Sequence, residues 1–277
     1  MKRTWFVTGA SKGLGLSMVK KLLATGYNVA ATSRNLKELR RAVGENTSNF
    51  LPLAVNLIDE DSVGKAIDET VTQFGSIDVI ANNAGYGLAG SLEELSDAEA
   101  RANFDVNVFG SLNVIRKALP YMRKQRSGHI FNIASVAGFT GAFPGFGIYC
   151  ATKFAVHGFS ESLAAEVKPF GINVTIVSPG YFRTNFLEND SLQVPKHEIA
   201  DYTSVREVQS LHQHNINGKQ QGDPEKAVDA IIKVAEAGKE LTHLFLGSDA
   251  YDFVEKKVAA VTKDMEEVRS LATSTDF

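Results

Sequence analysis

The sequence predicts an α/β fold, a doubly wound and mainly seven-stranded parallel sheet with helices on both faces. Three observations predict it. Short β-prone apolar runs alternate with helical patterns through nearly the whole chain. The first run leads through a glycine-rich turn directly into a helix. No linker of disorder-like composition interrupts the alternation, so a single domain is expected over residues 1–277, with right-handed crossovers.

The first run is Thr4 to Val7, followed by Thr8-Gly9-Ala10-Ser11-Lys12-Gly13-Leu14-Gly15 and a helical pattern from Leu16 to Leu23. Tyr27 to Thr32 is a second strand, ending at Ser33-Arg34. Asn35 with Glu38 marks a capped helix start running to about Val43. Phe50 to Val55 is a third strand, then Asn56-Leu57 and a helix from Asp59 to about Phe74-Gly75. Ile77 to Ala81 is a fourth strand, closed by Asn82-Asn83-Ala84-Gly85, whose small and polar residues suit a sharp turn. Ser96 and Glu99 form a capping box, and a long helical pattern from Ala102 to Lys124 carries Asn103 and Asn107. His129 to Ala134 is a fifth strand that delivers Ser135 at its carboxyl end. A loop rich in Gly and Phe leads to a helix holding Tyr149 and Lys153, which continues to about Val167. Gly171 to Val177 is a sixth strand, stopped by Ser178-Pro179-Gly180. Asp223-Pro224-Glu225 opens a further helix. Leu244 to Gly247 is the last strand, and a polar helix from about Tyr251 to Ala272 follows.

Composition narrows the function. With 44% hydrophobic and 22% charged residues, the chain has the balance of a soluble globular protein. A net charge of −3 without a sustained basic run argues against nucleic acid and anionic membrane as partners. Cys150 is the only cysteine, so no intrachain disulfide forms and nothing calls for an oxidising compartment. It reads as a small buried hydrophobe. The apolar run behind Met1-Lys2-Arg3 is cut by Thr8-Gly9, too early for a signal segment, and no stretch has the length of a membrane span. A cytoplasmic location is the expectation.

Two stretches carry chemistry. On a helix, Tyr149 and Lys153 lie at i and i+4 and project from one face. A cation about 4 Å from the phenol, at an effective dielectric near ~20, favours phenolate by about 4 kcal/mol, or roughly three pKa units. The pair then makes an acid/base group usable near neutral pH. The glycine turn lets backbone N–H groups and a helix N-terminus meet a pyrophosphate without Cβ obstruction. NAD-binding folds place an acidic residue after the second strand to hold the ribose 2′-OH. This chain has Ser33 and Arg34 there, with Lys12 in the turn. A carboxylate would repel a 2′-phosphate, whereas arginine offers it a bidentate fork, so NADP(H) is expected over NAD(H).

With these residues in order, the chain resembles the classical short-chain dehydrogenases/reductases over almost its whole length. Their glycine turn is Thr-Gly-x-x-x-Gly-x-Gly, as at Thr8 to Gly15, and Asn82 to Gly85 matches their Asn-Asn-Ala-Gly. The resemblance implies a Rossmann-type fold and a catalytic set of Asn107, Ser135, Tyr149 and Lys153. Tyr149 exchanges a proton with the substrate oxygen, and Ser135 hydrogen-bonds that oxygen. Lys153 lowers the Tyr149 pKa and binds the nicotinamide ribose. Asn107 positions a water linking Lys153 to solvent. Cofactor contacts are implied at Gly9, Ser11, Lys12, Gly13, Leu14, Gly15, Ser33, Arg34, Asn56, Leu57, Asn83, Ala84, Gly85, Tyr149 and Lys153. Pro179, Gly180, Phe182 and Thr184 match the element that holds the nicotinamide. Asn56 departs from the aspartate the family often has against adenine. The Ser135 to Tyr149 segment is one residue longer than the family's, and the chain end is longer than in a minimal member. Tyr149 to Phe170 looks like the 17β-hydroxysteroid and retinol dehydrogenase-like branch.

Phe139, Phe143 and Phe146 follow Ser135, and Tyr181, Phe182 and Phe186 follow Pro179-Gly180. Turned inward, these aromatics make an apolar pocket. The weakly periodic segment at about 185–222 reads as a substrate-binding loop or lid. The expected reaction is NADP(H)-dependent interconversion of a carbonyl and an alcohol, in the direction of reducing an apolar ketone or aldehyde. A 3-oxoacyl carrier-protein reductase shares the same motifs and stays open. A nonenzymatic NADP(H)-binding regulator on this fold is the other alternative, although such proteins commonly lack the tyrosine or lysine. His197, His212 and His214 offer no third ligand at a metal-binding spacing, so no metal is expected. His157, two turns beyond Tyr149, reads as a helix-surface or interface group. By resemblance, a homodimer or homotetramer is expected through the helices holding Asn107 and Tyr149.

Overall fold

A computed structural model describes residues 3–44, 47–188 and 191–277. Met1 and Lys2 of the chain start and Asn189 and Asp190 of the 185–222 segment lie outside the described residues. The elements in chain order are β1 (Thr4–Val7), α1 (Gly13–Ala24), β2 (Asn28–Ser33), α2 (Leu36–Val43), β3 (Phe50–Ala54), α3 (Glu60–Phe74), β4 (Val79–Asn82) and β5 (Gly87–Leu88). They continue as α4 (Asp97–Phe104), α5 (Gly110–Gln125), β6 (Gly128–Ile133), α6 (Gly147–Val167), β7 (Ile172–Pro179), β8 (Leu192–Gln193), α7 (Thr203–Ser210), α8 (Pro224–Ala237), β9 (His243–Leu246) and α9 (Ser248–Thr273).

Seven strands form one sheet in the order β3-β2-β1-β4-β6-β7-β9, every neighbouring pair parallel. Side chains alternate between two cores, as a strand period of two requires. Trp5, Val7, Val29, Ala31, Val79 and Ala81 pack with α1, α2 and α8 on one face. Phe6, Ala30, Ile80 and Ile130 pack with α3, α5 and α6 on the other. The expected Rossmann-type architecture is the one observed.

The chain winds from β1 towards β3 in one direction and from β4 towards β9 in the other. The carboxyl ends of β1 and β4 therefore flank a crevice where the winding reverses. The turns and segments holding Gly9, Asn83, Ser135 and Pro179 all follow strand ends on this edge.

Helix starts follow local chemistry. The side chains of Asn35, Asp59 and Asp223 cap α2, α3 and α8, and Ser96 with Glu99 closes a full capping box on α4. The long helical pattern expected from Ala102 differs in one respect. It is divided by a π-helical turn at Asp105–Phe109, which inserts Asn107 between α4 and α5. The 185–222 segment also differs from the loop that was expected. It contains β8, which pairs with β5, and it contains α7. Buried Glu94 anchors it, accepting from Ile199 N at 2.8 Å and pairing with Arg206 Nη2 at 2.6 Å. Among the described residues, no helix is long and apolar enough to cross a membrane.

Replacing Ser96 by Ala removes the capping box and is expected to lower stability by about 1 kcal/mol. For a chain of this size that is a fall of roughly 2 °C in Tm by calorimetry.

Candidate active site

The floor of the crevice is made by two turns laced together. Thr8 Oγ1 accepts from the backbone N–H groups of Asn83 and Ala84, both at 3.0 Å. Asn83 Nδ2 donates back to the carbonyls of Thr8 at 2.9 Å and Gly9 at 3.1 Å. Such an approach needs glycine. Gly9 has φ +65°, and a Cβ there would lie 2.8 Å from Ala84 Cα. A Cβ on Gly15 would lie 2.5 Å from the Gly9 carbonyl oxygen and would also strike Asn83 Nδ2.

A cavity of about 750 Å³ runs along this edge. At one end lie Gly9, Ser11, Lys12, Gly13, Leu14, Ser33, Arg34, Asn56 and Leu57. No side chain caps α1 and no acidic residue stands in its first turn, in contrast to α2, α3, α4 and α8. The helix start thus faces the cavity with its positive end. Asn83, Ala84, Gly85, Tyr149, Lys153, Pro179, Gly180, Phe182 and Thr184 line the middle. This cradle, whose two turns could not close with a Cβ at Gly9 or Gly15, fits an extended dinucleotide. Gly15 and Asn107 stand behind the cavity wall rather than in it. Gly15 lies under the turn, and Asn107 Oδ1 is 3.0 Å from where a Cβ on Gly85 would be.

Tyr149, Ser135 and Lys153 also converge on the cavity. Ser135 ends the extended run after β6 and its Oγ accepts from Ala137 N at 3.1 Å. Tyr149 is buried, hydrogen-bonded to Ser135 and flanked by Phe146 and Phe186. Lys153 Nζ donates to the Ile133 carbonyl at 2.8 Å and lies 5.8 Å from the Tyr149 ring centre. Burial pushes the Lys153 ammonium down to about 8 and pushes the Tyr149 phenol up, against the opposing effect of Ser135. At Tyr149 the penalty for taking a phenolate out of water is the largest influence, so its net direction is upward, not the downward one expected from a neighbouring Lys153 alone. Asn107 is held by the Tyr86 backbone in both directions at 3.0 Å and donates to Thr152 Oγ1 at 3.1 Å.

Beyond Tyr149 the wall is largely aromatic, with Phe143, Phe146, Tyr181 and Phe186 beside Leu187. Phe139 does not join them. It packs against Phe245 and His157, because the short turn after Ser135 directs it away from the cavity. His212 lines the cavity, and its ring bonds Tyr181 Oη at 2.9 Å and the Val208 carbonyl at 2.7 Å. His157 is not a surface group. It is buried, bonded to Ser178 Oγ at 3.0 Å and to the Ser135 backbone, and burial holds it down at about 4. The face of α6 that carries it packs on β7, which helical spacing counted from Tyr149 does not reveal. His157, Glu161 and His243 bring ligand atoms within 4.8 Å of one another, but the His157 ring is engaged by these two partners. The Cys150 thiol is buried, which pushes it up to about 11.

Three contributors had no signal of their own in the sequence. Thr8 belongs to the glycine motif, yet only the fold shows it bonding the second turn. The backbone of Tyr86 positions Asn107. Asp249 accepts from Tyr181 N at 2.7 Å and packs on Gly180, so the start of α9 holds the turn after β7 from a point remote in sequence.

A family model described as short chain dehydrogenase matches residues 3–194. The chain belongs to the short-chain dehydrogenase family. It is 34% identical to oxidoreductase BOA17 of Botryotinia fuckeliana over 98% of each chain. It is 37% identical to a 3-ketodihydrosphingosine reductase of Bacteroides thetaiotaomicron, over 82% of this chain and 81% of that one. A short-chain dehydrogenase structure from Streptomyces avermitilis superposes with a TM-score of 0.91, at 34% identity, covering 100% of this chain and 99% of the other. The protein is thus an oxidoreductase of NAD(P)-dependent carbonyl and alcohol chemistry.

Gly15→Ala forces apart the turns that form the cradle. Its expected effect is a loss of about 1–3 kcal/mol in stability, as for overpacking elsewhere, with weaker dinucleotide binding by fluorescence titration.

Proposed function

We propose that the protein uses NADPH to reduce a moderately large, apolar ketone or aldehyde. The observation that carries this reading is the position of Tyr149 and Ser135, at the junction between the glycine cradle and the aromatic part of one cavity. The bound dinucleotide supplies the hydride. A neutral, buried Tyr149 is the form that donates a proton to a carbonyl oxygen. Ser135 Oγ accepts from Ala137 N, and its own hydrogen, shared with Tyr149, turns to that oxygen as charge develops on it. Lys153, largely an ammonium at pH 7, stabilises the phenolate left behind. Asn107 keeps Gly85 close to Lys153 Nζ, which would stand 3.6 Å from a Cβ at that glycine.

The preference for NADPH rests on Arg34 and Lys12, which line the end of the cavity where β2 closes with Ser33 instead of a carboxylate. Glu38 lines the same end from α2, so the outcome is a balance that kinetics reads directly. The aromatic wall supports an apolar substrate. The relative named as a 3-ketodihydrosphingosine reductase, which by its name acts on a keto compound, supports a ketone. For the homodimer or homotetramer, we place the subunit contact on the elements carrying Asn107 and Tyr149, where Phe109 is 51% and Phe154 42% exposed.

Wild-type kcat/KM should favour NADPH over NADH, and Arg34→Ala should reduce that preference about tenfold, the worth of one charge-assisted hydrogen bond. A wild-type preference for NADH overturns the cofactor assignment. Tyr149→Phe should lower kcat by about a hundred- to ten-thousand-fold, with NADPH affinity nearly intact; near-normal turnover would remove Tyr149 from its role. In an NADPH-oxidation panel, free apolar carbonyls should turn over. Activity confined to small charged substrates would count against the pocket, and faster turnover of thioester-linked 3-oxoacyl substrates would favour the carrier-protein reductase.

A further inference from the structure

Helix α9 leaves the body of the protein. Its first two turns are tied down by Asp249 and by Phe253, whose ring lies 5.3 Å from that of Phe143 in the cavity wall. From Glu255 onward every residue is exposed. A solvated helix should be polar on all sides, and this one is not. Tyr251, Val254, Val258, Val261, Met265 and Val268 recur at alternating intervals of three and four residues, and form one stripe. Tyr251, Val258, Val261, Met265 and Val268 are each 40% exposed or more.

The charges beside the stripe narrow the occupant. Between Ser248 and Thr273 there are six acidic residues and four basic ones. That balance disfavours an anionic membrane surface, which selects helices rich in Lys and Arg. The alternating interval is instead the pattern by which one helix packs on another.

We propose that α9 pairs antiparallel with α9 of a second copy of this chain. One two-fold register satisfies the whole stripe. Tyr251 packs on Val268 of the second copy, Val254 on its Met265 and Val258 on its Val261, and each layer is repeated by symmetry. Large side chains thus meet small ones. In the same register Lys257 faces Asp264 of the second copy, twice. A parallel pair would stack Tyr251 on Tyr251 and Met265 on Met265, and would crowd both protein bodies at one end. The antiparallel pair puts the bodies at opposite ends of the contact. It also brings the last turn of the second copy's helix beside Tyr251, next to the Phe253 and Phe143 contact at the cavity wall. The contact is distinct from the one placed on Phe109 and Phe154, and it does not depend on which carbonyl is reduced.

Sedimentation equilibrium of the full chain tests the proposal. Val258→Asp with Val261→Asp should abolish one association step; an unchanged mass distribution overturns the pairing. Lys257→Asp should weaken that step about tenfold by turning two attractive pairs into repulsive ones. Lys257→Asp combined with Asp264→Lys should restore it to within about threefold, as a double-mutant cycle requires of facing residues. In a parallel pair Lys257 would face Thr262 and Asp264 would face Arg269. Lys257→Asp would then be neutral and the double variant would not recover, which overturns the antiparallel register. Circular dichroism of each variant checks that α9 remains helical.

Discussion

The contact between the turn after β1 and the turn after β4 is the constraint on which the site depends. Gly9 and Ala84 approach so closely that no Cβ fits between them, and Thr8 and Asn83 exchange hydrogen bonds across the gap. Because these strands are neighbours at the point where the winding reverses, closing the two turns on each other opens the crevice above them. Gly15 at the start of α1 and Gly85 below Lys153 then sit at heights set by that closure. The candidate binding surface and the proposed catalytic groups share one piece of backbone.

Burial is the largest influence on both Tyr149 and Lys153. Enclosing Tyr149 and Lys153 shifts both towards their neutral forms, the phenol upward and the ammonium downward. In the proposed reaction this keeps a neutral phenol for the carbonyl oxygen, with Lys153 nearby to offset the phenolate that forms. His157 adds a buried link between the Ser135 backbone and Ser178, joining the catalytic turn to the strand that ends in Pro179-Gly180. Asp249 secures that same end from α9. Two elements remote in sequence therefore hold the walls of the candidate site in place.

The fold was legible because its signals are local. Strands buried on both faces read as apolar runs, and Asn35, Asp59, Ser96 and Asp223 announce helices by cap chemistry confined to a few residues. The segment from 185 to 222 was illegible for the opposite reason. β5 and β8 are two residues long, and what orders the segment is a buried pair between Glu94 and Arg206, more than a hundred positions apart. The π-helical turn around Asn107 likewise has no period of its own.

By itself, the sequence determined the alternation of strand and helix, the glycine turn, and the order of Asn107, Ser135, Tyr149 and Lys153 along the chain. Each rests on backbone geometry or on spacing within one element, which composition and period encode. Tertiary structure alone decided which aromatics reach the cavity, Phe143 and Phe186 but not Phe139, and that His157 is interior. It also decided that burial governs the protonation of Tyr149. These outcomes depend on what packs against a side chain and on how much water is removed from it, and both are supplied by residues far away in the chain.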